Sequence, residues 1–191
     1  MAFHGIFRWS SSCVPTPSGN GAPPDPIPAL QKLIDGSKVV PNHALIDPVA
    51  QYLNRSSPDY DQTRTSLRRH FLDIIATSNS TKNFTYIFTN SRSSSKADGE
   101  GALDYEKAAA KRGIPFIPLI LDCDLDENLK RTANRGGSST TKLTDHETAE
   151  TIRKEEESHR FGREVELEMD ITALGPREAA IKILEHVKRF V

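Results

Sequence analysis

The chain has 191 residues, of which 25 are basic and 26 are acidic. This length predicts a single domain that is large enough to bury a core. The balanced charge argues against a broad nucleic-acid-binding surface, and no apolar run approaches the roughly 18 residues that a membrane span needs. We therefore expect a globular domain that binds neither nucleic acid nor a membrane.

The N-terminus and the cysteine count favour a cytoplasmic protein. The first 24 residues contain no acid, as in a mitochondrial presequence, but they carry one arginine, Arg8, and lack the apolar core of a secretory signal. Two cysteines, Cys13 and Cys123, are too few for a disulfide framework and suit a reducing compartment.

The N-terminal segment is rich in proline. Residues 1–29 hold six of the twelve prolines, and this composition favours irregular structure. Within it, the apolar run over residues 3–9 could form a strand. We therefore assign residues 1–28 to a disordered or atypical N-terminal segment and residues 29–191 to the domain.

After the N-terminal segment, patterns typical of helices and strands alternate along the chain. Apolar residues on one face, with capping residues or glycine at the ends, predict helices at 28–34, 57–78, 102–112, 126–135, 145–160 and 176–191. Apolar, β-branched and aromatic runs predict strands at 38–40, 83–89, 114–122 and 164–172. The alternation predicts a three-layer α/β/α sandwich with a mostly parallel sheet.

Ligands of such folds bind beyond the carboxyl ends of the parallel strands. Polar residues follow the predicted strands there, namely Asn42, His43 and Asp47, then Asn90, Ser91 and Arg92, then residues 122–126. Asn42 and His43 could bind a hydroxyl-bearing substrate, with Asp47 as the catalytic base that accepts the hydroxyl proton. An Asx-type turn before Pro48, with His43 half exposed, is an equally good interpretation.

Three arginines near this edge are candidate anchors for an anionic substrate group. Arg68 and Arg69 lie on the helix that follows Asp47, and either could face the cleft and bind an anion. Arg92, at the end of the next strand, could do the same or could lie in a loop with no such role.

A second group of cations surrounds a Gly/Ser/Thr-rich loop. Arg131 and Arg135 are four residues apart and share a helix face, while Lys142 lies beyond the loop and Arg153 lies on the next helix. Cations around a hinged loop suit a lid that closes over phosphates during phosphoryl transfer. Spacing alone favours the alternative, a solvated helix face with ion pairs such as Glu127–Arg131.

The sequence has no pattern for a metal site or for a phosphate-binding loop. Residues 122–126 resemble the start of an EF-hand, but Glu127 and Ala133 stand where that loop needs glycine and glutamate. Gly19 and Gly21 precede four prolines, which have no N–H to offer a phosphate. No Gly-Lys-Ser or Gly-Lys-Thr occurs in the chain.

Four segments together resemble a known family. They are "KVVPNHALIDPV", "FTYIFTNSRS", "IPFIPLILDCDLDENLKR" and "KLTDHETAETIRK". From about residue 29 to residue 191 the sequence is similar to small P-loop kinase-like proteins related to chloramphenicol phosphotransferase. The resemblance implies a P-loop NTPase fold with a five-stranded parallel sheet, akin to shikimate, gluconate and adenylate kinases. It also implies ATP-dependent phosphorylation of a small-molecule substrate with Mg²⁺.

The resemblance assigns roles to residues of this sequence. Asn42, His43 and Asp47 match the family's N-H-x-x-I-D-P run on the side of the acceptor substrate. The cations that match the family's lid, around residues 131–153, are Arg131, Arg135, Lys142 and Arg153. Asn90 stands where relatives often have Asp, so the family's contribution to magnesium binding at this position is not implied here.

One departure from the family concerns the phosphate-binding loop. Relatives have a short apolar strand and G-x-x-G-x-G-K-[LST] directly before the helix that here contains "ALQKLIDG", whereas this chain has "SGNGAPPDPIP". We therefore expect a kinase fold in which ATP binding and phosphoryl transfer are impaired. The alternative is a non-catalytic relative that binds a ligand or a partner protein; the sequence predicts no oligomeric state.

Overall fold

The computed structural model describes residues 6–11, 26–89, 96–124, 127 and 159–191; of residues 6–11 and 96–98 it describes the backbone. The strands are β1 (Ile6–Ser11), β2 (Ser37–Pro41), β3 (Thr85–Thr89), β4 (Phe116–Asp122) and β5 (Leu167–Asp170). The helices are α1 (Pro26–Leu33), α2 (His43–Ala50), α3 (Tyr60–Thr77), α4 (Lys96–Arg112) and α5 (Pro176–Val187), with a 3₁₀ turn at Asn79–Thr81.

The strands pair in the order β2-β3-β1-β4-β5, and every pairing is parallel. The central strand is β1, where Trp9 is in register with Thr89 of β3 on one side and with Leu119 of β4 on the other. The prediction of a mixed α/β fold with parallel strands is confirmed. All five carboxyl ends therefore lie at one edge of the sheet.

The sequence suggested an irregular N-terminal segment, but part of this segment forms regular structure. Its strand runs over Ile6–Ser11, two or three residues later than the apolar run at 3–9. Helix α1 begins at Pro26, inside the segment that we had separated from the domain. Both elements belong to the domain because β1 pairs with two strands and α1 packs on the sheet. Residues 12–25 lie outside the described residues.

Other predicted boundaries shift in both directions. The sequence missed α2, since Pro48 lies within it, and placed the start of α4 at residue 102 rather than Lys96. The strand predicted at 164–172 is confined to Leu167–Asp170. The predicted end of α4 is correct, and that of α1 is one residue too late. Gly36 and Gly113 follow the two helices with φ of 68° and 74°, which favours glycine. The helices predicted at 126–135 and 145–160 lie outside the described residues, except Glu127, His159 and Arg160, and the last two are not helical.

Helices cover both faces of the sheet. One apolar cluster joins α1 and α5 to alternate residues of the central strands. It includes Leu30 of α1, Ile183 of α5, and Ile87 and Leu119 of the strands, each at most 1% exposed. A second cluster joins α3 and α4 to the opposite face through residues such as Leu72, Tyr86, Phe88 and Tyr105. Because strand side chains alternate between faces, β3 contributes Ile87 to one core and its two neighbours to the other.

Cys123 follows β4 and is buried. It is disulfide-bonded, and Cys13, the other cysteine in the chain, lies outside the described residues. The cysteine count suggested a reducing compartment, and the bond at Cys123 does not support that expectation.

Tyr86 lies in the aromatic part of the second core. Its ring centroid is 6.2 Å from that of Phe88 and 6.4 Å from that of Phe84. Burial raises the pKa of Tyr86 above its usual value of 10.0, and the guanidinium of Arg112 partly opposes this shift. The folded protein therefore holds the phenolic proton more tightly than the unfolded chain does.

This shift predicts how stability depends on alkaline pH. The contribution of Tyr86 is complete below the unfolded pKa of about 10 and is lost as the pH rises through the higher folded pKa. In urea unfolding at a series of pH values, Tyr86→Phe should flatten the alkaline loss of stability. Tyr52→Phe, at a residue that is 85% exposed, is the matched control and should leave the loss unchanged. Equal slopes for the wild type and Tyr86→Phe would contradict the assignment.

Candidate functional site

The carboxyl edge of the sheet places Asn42 and α2. Strand β2 ends at Pro41, and α2 begins two residues later at His43. The carbonyl of Asn42 accepts hydrogen bonds from the N–H groups of Leu45 and Ile46, which fixes the start of the helix. The Asn42 side chain makes no capping hydrogen bond. This carboxamide therefore stands at the edge where ligands of parallel α/β sheets bind.

His43 and Asp47 form a pair on α2. Nδ1 of His43 lies 3.2 Å from Oδ1 of Asp47, one helical turn away, and the side chains are 33% and 45% exposed. When Nδ1 carries its proton, it donates to the carboxylate and leaves Nε2 as an acceptor. A carboxylate oriented in this way can accept a proton from a substrate hydroxyl.

The structure brings Asn42, His43 and Asp47 together, as the sequence predicted. The backbone around Pro48 forms the helix α2 rather than the Asx-type turn of the alternative interpretation. The opposite side of α2 carries Leu45, Ile46 and Val49, which are buried. Their burial holds the pair outward at the rim of the edge.

Arg68 and Arg69 bind an acid of the protein itself. The side chain of Asp104 on α4 accepts from Nη2 of Arg68 at 2.7 Å and from its Nε at 3.2 Å. Nε of Arg69 lies 3.2 Å from each oxygen of the same carboxylate. Arg68 and Asp104 are 3% and 8% exposed, whereas the Arg69 side chain is 58% exposed. The pair joins the two helices that cover one face of the sheet.

Arg68 lies well away from the carboxyl edge of the sheet, where ligands of such folds bind. Helix α3 ends shortly before β3 begins at the amino edge, so its N-terminus points to the carboxyl edge. Arg68 lies eight residues into the helix, roughly 12 Å from that end at 1.5 Å per residue. The position and the buried partner indicate that Arg68 stabilises the packing of α3 on α4.

The ion pair predicts an asymmetry between two acids of α4. Asp104→Asn removes the charge that faces the buried Arg68, so we expect a loss of about 3–5 kcal/mol in unfolding free energy. Glu106→Gln breaks the exposed pair with Arg163, at 2.9 Å, and should cost at most about 1 kcal/mol. Urea unfolding of both variants measures the difference.

A double variant tests whether the charge is the cause. Arg68→Met combined with Asp104→Leu replaces the ion pair by apolar side chains and should recover much of the lost stability. A loss as large as that of Asp104→Asn would show that shape, not charge, decides the packing here.

The remaining predicted site residues lie outside the described residues. They are Asn90, Ser91, Arg92, Arg131, Arg135, Lys142 and Arg153. Their roles at the substrate and at the lid stay predictions. In the described part of the chain, no three His, Cys, Asp or Glu side chains group in a way that could hold a metal ion. Within the same ranges, no helix combines the length and apolarity needed to cross a membrane.

The first two turns of α3 contain polar residues that the sequence analysis did not select. Tyr60 is 4% exposed and Nε of Arg64 is buried, yet neither Tyr60 Oη nor that nitrogen has a hydrogen-bond partner among the described residues. Nη2 of Arg64 lies 3.3 Å from Oδ1 of Asp61. Tyr60, Arg64 and Arg68 recur every fourth residue, and this spacing was the signal in the sequence.

Among the described residues, the start of α1 offers few backbone donors for an anion. A helix N-terminus binds phosphate through the free N–H groups of its first turn. In α1 that turn begins Pro26-Ile27-Pro28, and the two prolines have no N–H. Ile27 is 2% exposed, so its side chain belongs to the core rather than to a ligand site.

The chain has a five-stranded parallel sheet with helices on both faces and polar groups at its carboxyl edge, and solved structures of small-molecule kinases are similar to it in fold. Neither a protein-family model nor a curated protein sequence matches the chain. Solved structures do match, and at their low identities the likeness shows the fold alone.

Three solved structures illustrate the likeness. The tunicamycin resistance protein of Deinococcus radiodurans has a TM-score of 0.60 and 16% identity over 96% of this chain and 95% of its own. The APS kinase of Mycobacterium tuberculosis, solved with AMPPNP and APS, has a TM-score of 0.57 and 13% identity over 98% of both chains. The gluconokinase of Sinorhizobium meliloti has a TM-score of 0.56 and 12% identity, covering 98% of this chain and 93% of that one.

Proposed function

We propose that this chain is a P-loop kinase-like protein of the class that phosphorylates small molecules with ATP and Mg²⁺, and that phosphoryl transfer is impaired in it. The observation that supports the proposal is the first turn of α1, Pro26-Ile27-Pro28, which begins the helix that the resemblance places directly after the phosphate-binding loop. The acceptor side, by contrast, has polar groups in position for a substrate.

Among the described residues, the start of α1 offers few of the groups that hold a triphosphate. A phosphate loop supplies several converging N–H groups and a lysine. Three or four charge-assisted hydrogen bonds, each about 1.5–3 kcal/mol, would be missing. That sum is comparable with the roughly 7–8 kcal/mol of a micromolar to ten-micromolar nucleotide affinity. The described residues at the start of α1 therefore do not fit ATP, and we derive no catalytic step through it.

The acceptor side supports a small hydroxyl-bearing ligand. The Asn42 carboxamide and the His43–Asp47 pair stand together at the carboxyl edge, and Asp47 has the geometry of a general base. The neighbours named gluconokinase and APS kinase indicate that this fold serves small-molecule acceptors. The cations at Arg131, Arg135, Lys142 and Arg153 would close over phosphates if the lid prediction is correct.

A second candidate function follows from the contrast between the start of α1 and the polar groups of the acceptor side. A chain that keeps its acceptor side and lacks its donor side can bind a ligand without catalysis. Such a protein would be a non-catalytic ligand- or protein-binding relative of the kinases. The two candidates differ in whether restoring the phosphate loop restores nucleotide binding.

One prediction concerns nucleotide binding by the unmodified chain. Titration calorimetry with Mg-ATP should detect no micromolar binding, because the donors for the triphosphate are missing. Micromolar binding, or phosphate transfer from ATP by this polypeptide, would contradict the proposal.

A graft distinguishes the two candidates. Gly21 already stands where G-x-x-x-x-G-K-T begins if that motif ends at position 28. The changes Pro24→Gly, Asp25→Ser, Pro26→Gly, Ile27→Lys and Pro28→Thr complete it, and circular dichroism checks the fold. Micromolar Mg-ATP binding by the graft supports the impaired kinase. A folded graft that does not bind favours the non-catalytic relative.

The control for the graft changes one side chain. The same five positions with Ile27→Ala in place of Ile27→Lys supply the loop backbone but not the lysine that reaches the terminal phosphates. Binding to this control should be much weaker than to the graft. Equal binding would place the nucleotide elsewhere on the protein.

A further inference from the structure

Two buried polar atoms near the start of α3 need a partner. Tyr60 is 4% exposed, and neither its Oη nor Nε of Arg64 has a hydrogen-bond partner among the described residues. Buried donors without a partner are costly, and native proteins rarely keep them unless water or a ligand completes them. The two residues are one helical turn apart, so both side chains lie within reach of one small group.

The position of these residues is that of a ligand site. Because α3 ends shortly before β3 begins at the amino edge of the sheet, Tyr60 and Arg64 lie at the carboxyl edge. Helix α3 packs against α2, which carries His43 and Asp47 at the same edge. Tyr60 and Arg64 therefore belong to the acceptor side of the cleft.

The charge around Arg64 remains partly uncompensated. Among the described residues, Arg64 forms an ion pair with Asp61, whose Oδ1 lies 3.3 Å from Nη2, and the Asp61 side chain is 81% exposed. Solvent screens such a pair strongly. One turn further along, Arg68 is neutralised by the buried Asp104 at 2.7 Å. A ligand with a negative charge would complete Arg64 as Asp104 completes Arg68.

A third buried nitrogen without a partner, Nη2 of Arg112, has a different setting. Arg112 is the last residue of α4, at the amino edge of the sheet, and its Nη1 donates to Oγ1 of Thr81 at 2.9 Å. Its guanidinium also lies close enough to Tyr86 to oppose the rise in that pKa. Arg112 therefore lies at the opposite edge of the sheet from Tyr60 and Arg64.

We propose that Tyr60 and Arg64 bind an anionic oxygen group, such as a carboxylate, sulfate or phosphate, of the small-molecule ligand. The Tyr60 hydroxyl and the Arg64 Nε–H are both donors, and the guanidinium adds a positive charge. The inference rests on the proposed acceptor side of the function, but it does not depend on nucleotide binding. The ligand of this site is thus an acid or an acid ester.

The test uses inorganic phosphate and nuclear magnetic resonance of the full chain. The Nε–H of a sheltered arginine exchanges slowly enough to give its own signal, and Arg64→Gln assigns it. Adding phosphate at constant ionic strength, balanced with sodium chloride, should shift the Arg64 signal with saturation. The Nε–H of Arg68, which donates to Asp104, is the internal control and should not move.

The melting temperatures of variants give a second measurement, which does not depend on the Arg64 Nε–H signal. Tyr60→Phe removes a buried hydroxyl without a partner, so it should raise the melting temperature without phosphate and reduce the phosphate-dependent rise. Arg64→Gln should abolish that rise. Arg163→Gln, at an exposed arginine that is also paired with an acid, is the matched control and should leave the rise unchanged.

Three results would overturn the inference. They are an Arg64 signal that phosphate does not move, a shift that chloride alone reproduces, and a melting rise that survives both Tyr60→Phe and Arg64→Gln. A buried water that completes the two donors would give the first result. Phosphate binding at Arg64 without Mg-ATP binding by the graft would leave this site standing and count against the kinase. Mg-ATP binding by the graft without phosphate binding at Arg64 would count against this site alone.

Discussion

The backbone ladder of β1 is the constraint on which the rest of the structure depends. Strands β2 and β3 form one parallel pair, β4 and β5 form another, and β1 joins them through hydrogen bonds on both sides. With β1 in place, every carboxyl end lies at one edge, and the helices that follow the strands present their N-termini there. Without it, two short two-stranded sheets would expose unpaired edges, which are prone to aggregation. The candidate site exists because one strand aligns the two halves.

That shared edge carries two sides with different chemistry. At the start of α1, which we propose as the donor side, Pro26 and Pro28 leave the first turn with few N–H groups to present. On the acceptor side, α2 holds the His43–Asp47 pair outward by burying its opposite face. Under the proposed function, an acceptor site can remain where the donor site has changed, because the two sides are built on different helices.

The parts of the fold that could be predicted from the sequence are those with a local signal. Strand β4 is a continuous apolar run that only a strand covered on both faces needs, and α5 has a regular apolar face. The start of α1 had no such signal because the sequence around it is rich in proline. The exact span of β1 had none because its two neighbouring strands, β3 and β4, decide where it pairs. Helix α2 was missed because Pro48 suggests a turn, although tertiary packing of its apolar face overrides that preference.

The residues of the candidate site also differ in whether the sequence could predict their positions. Asn42, His43 and Asp47 were predictable because they follow a strand directly and the topology alone brings them to the edge. The role of Arg68 was not, because its partner Asp104 is 36 residues away and no periodicity links α3 to α4. Arg64 and Arg68 have the same chemistry and lie on the same helix, and only their depth differs. The deeper arginine meets an acid of the protein, while Nε of the shallower one is buried without a partner among the described residues. That difference in depth separates Arg68, which packs α3 on α4, from Arg64, which we propose binds a ligand at the carboxyl edge.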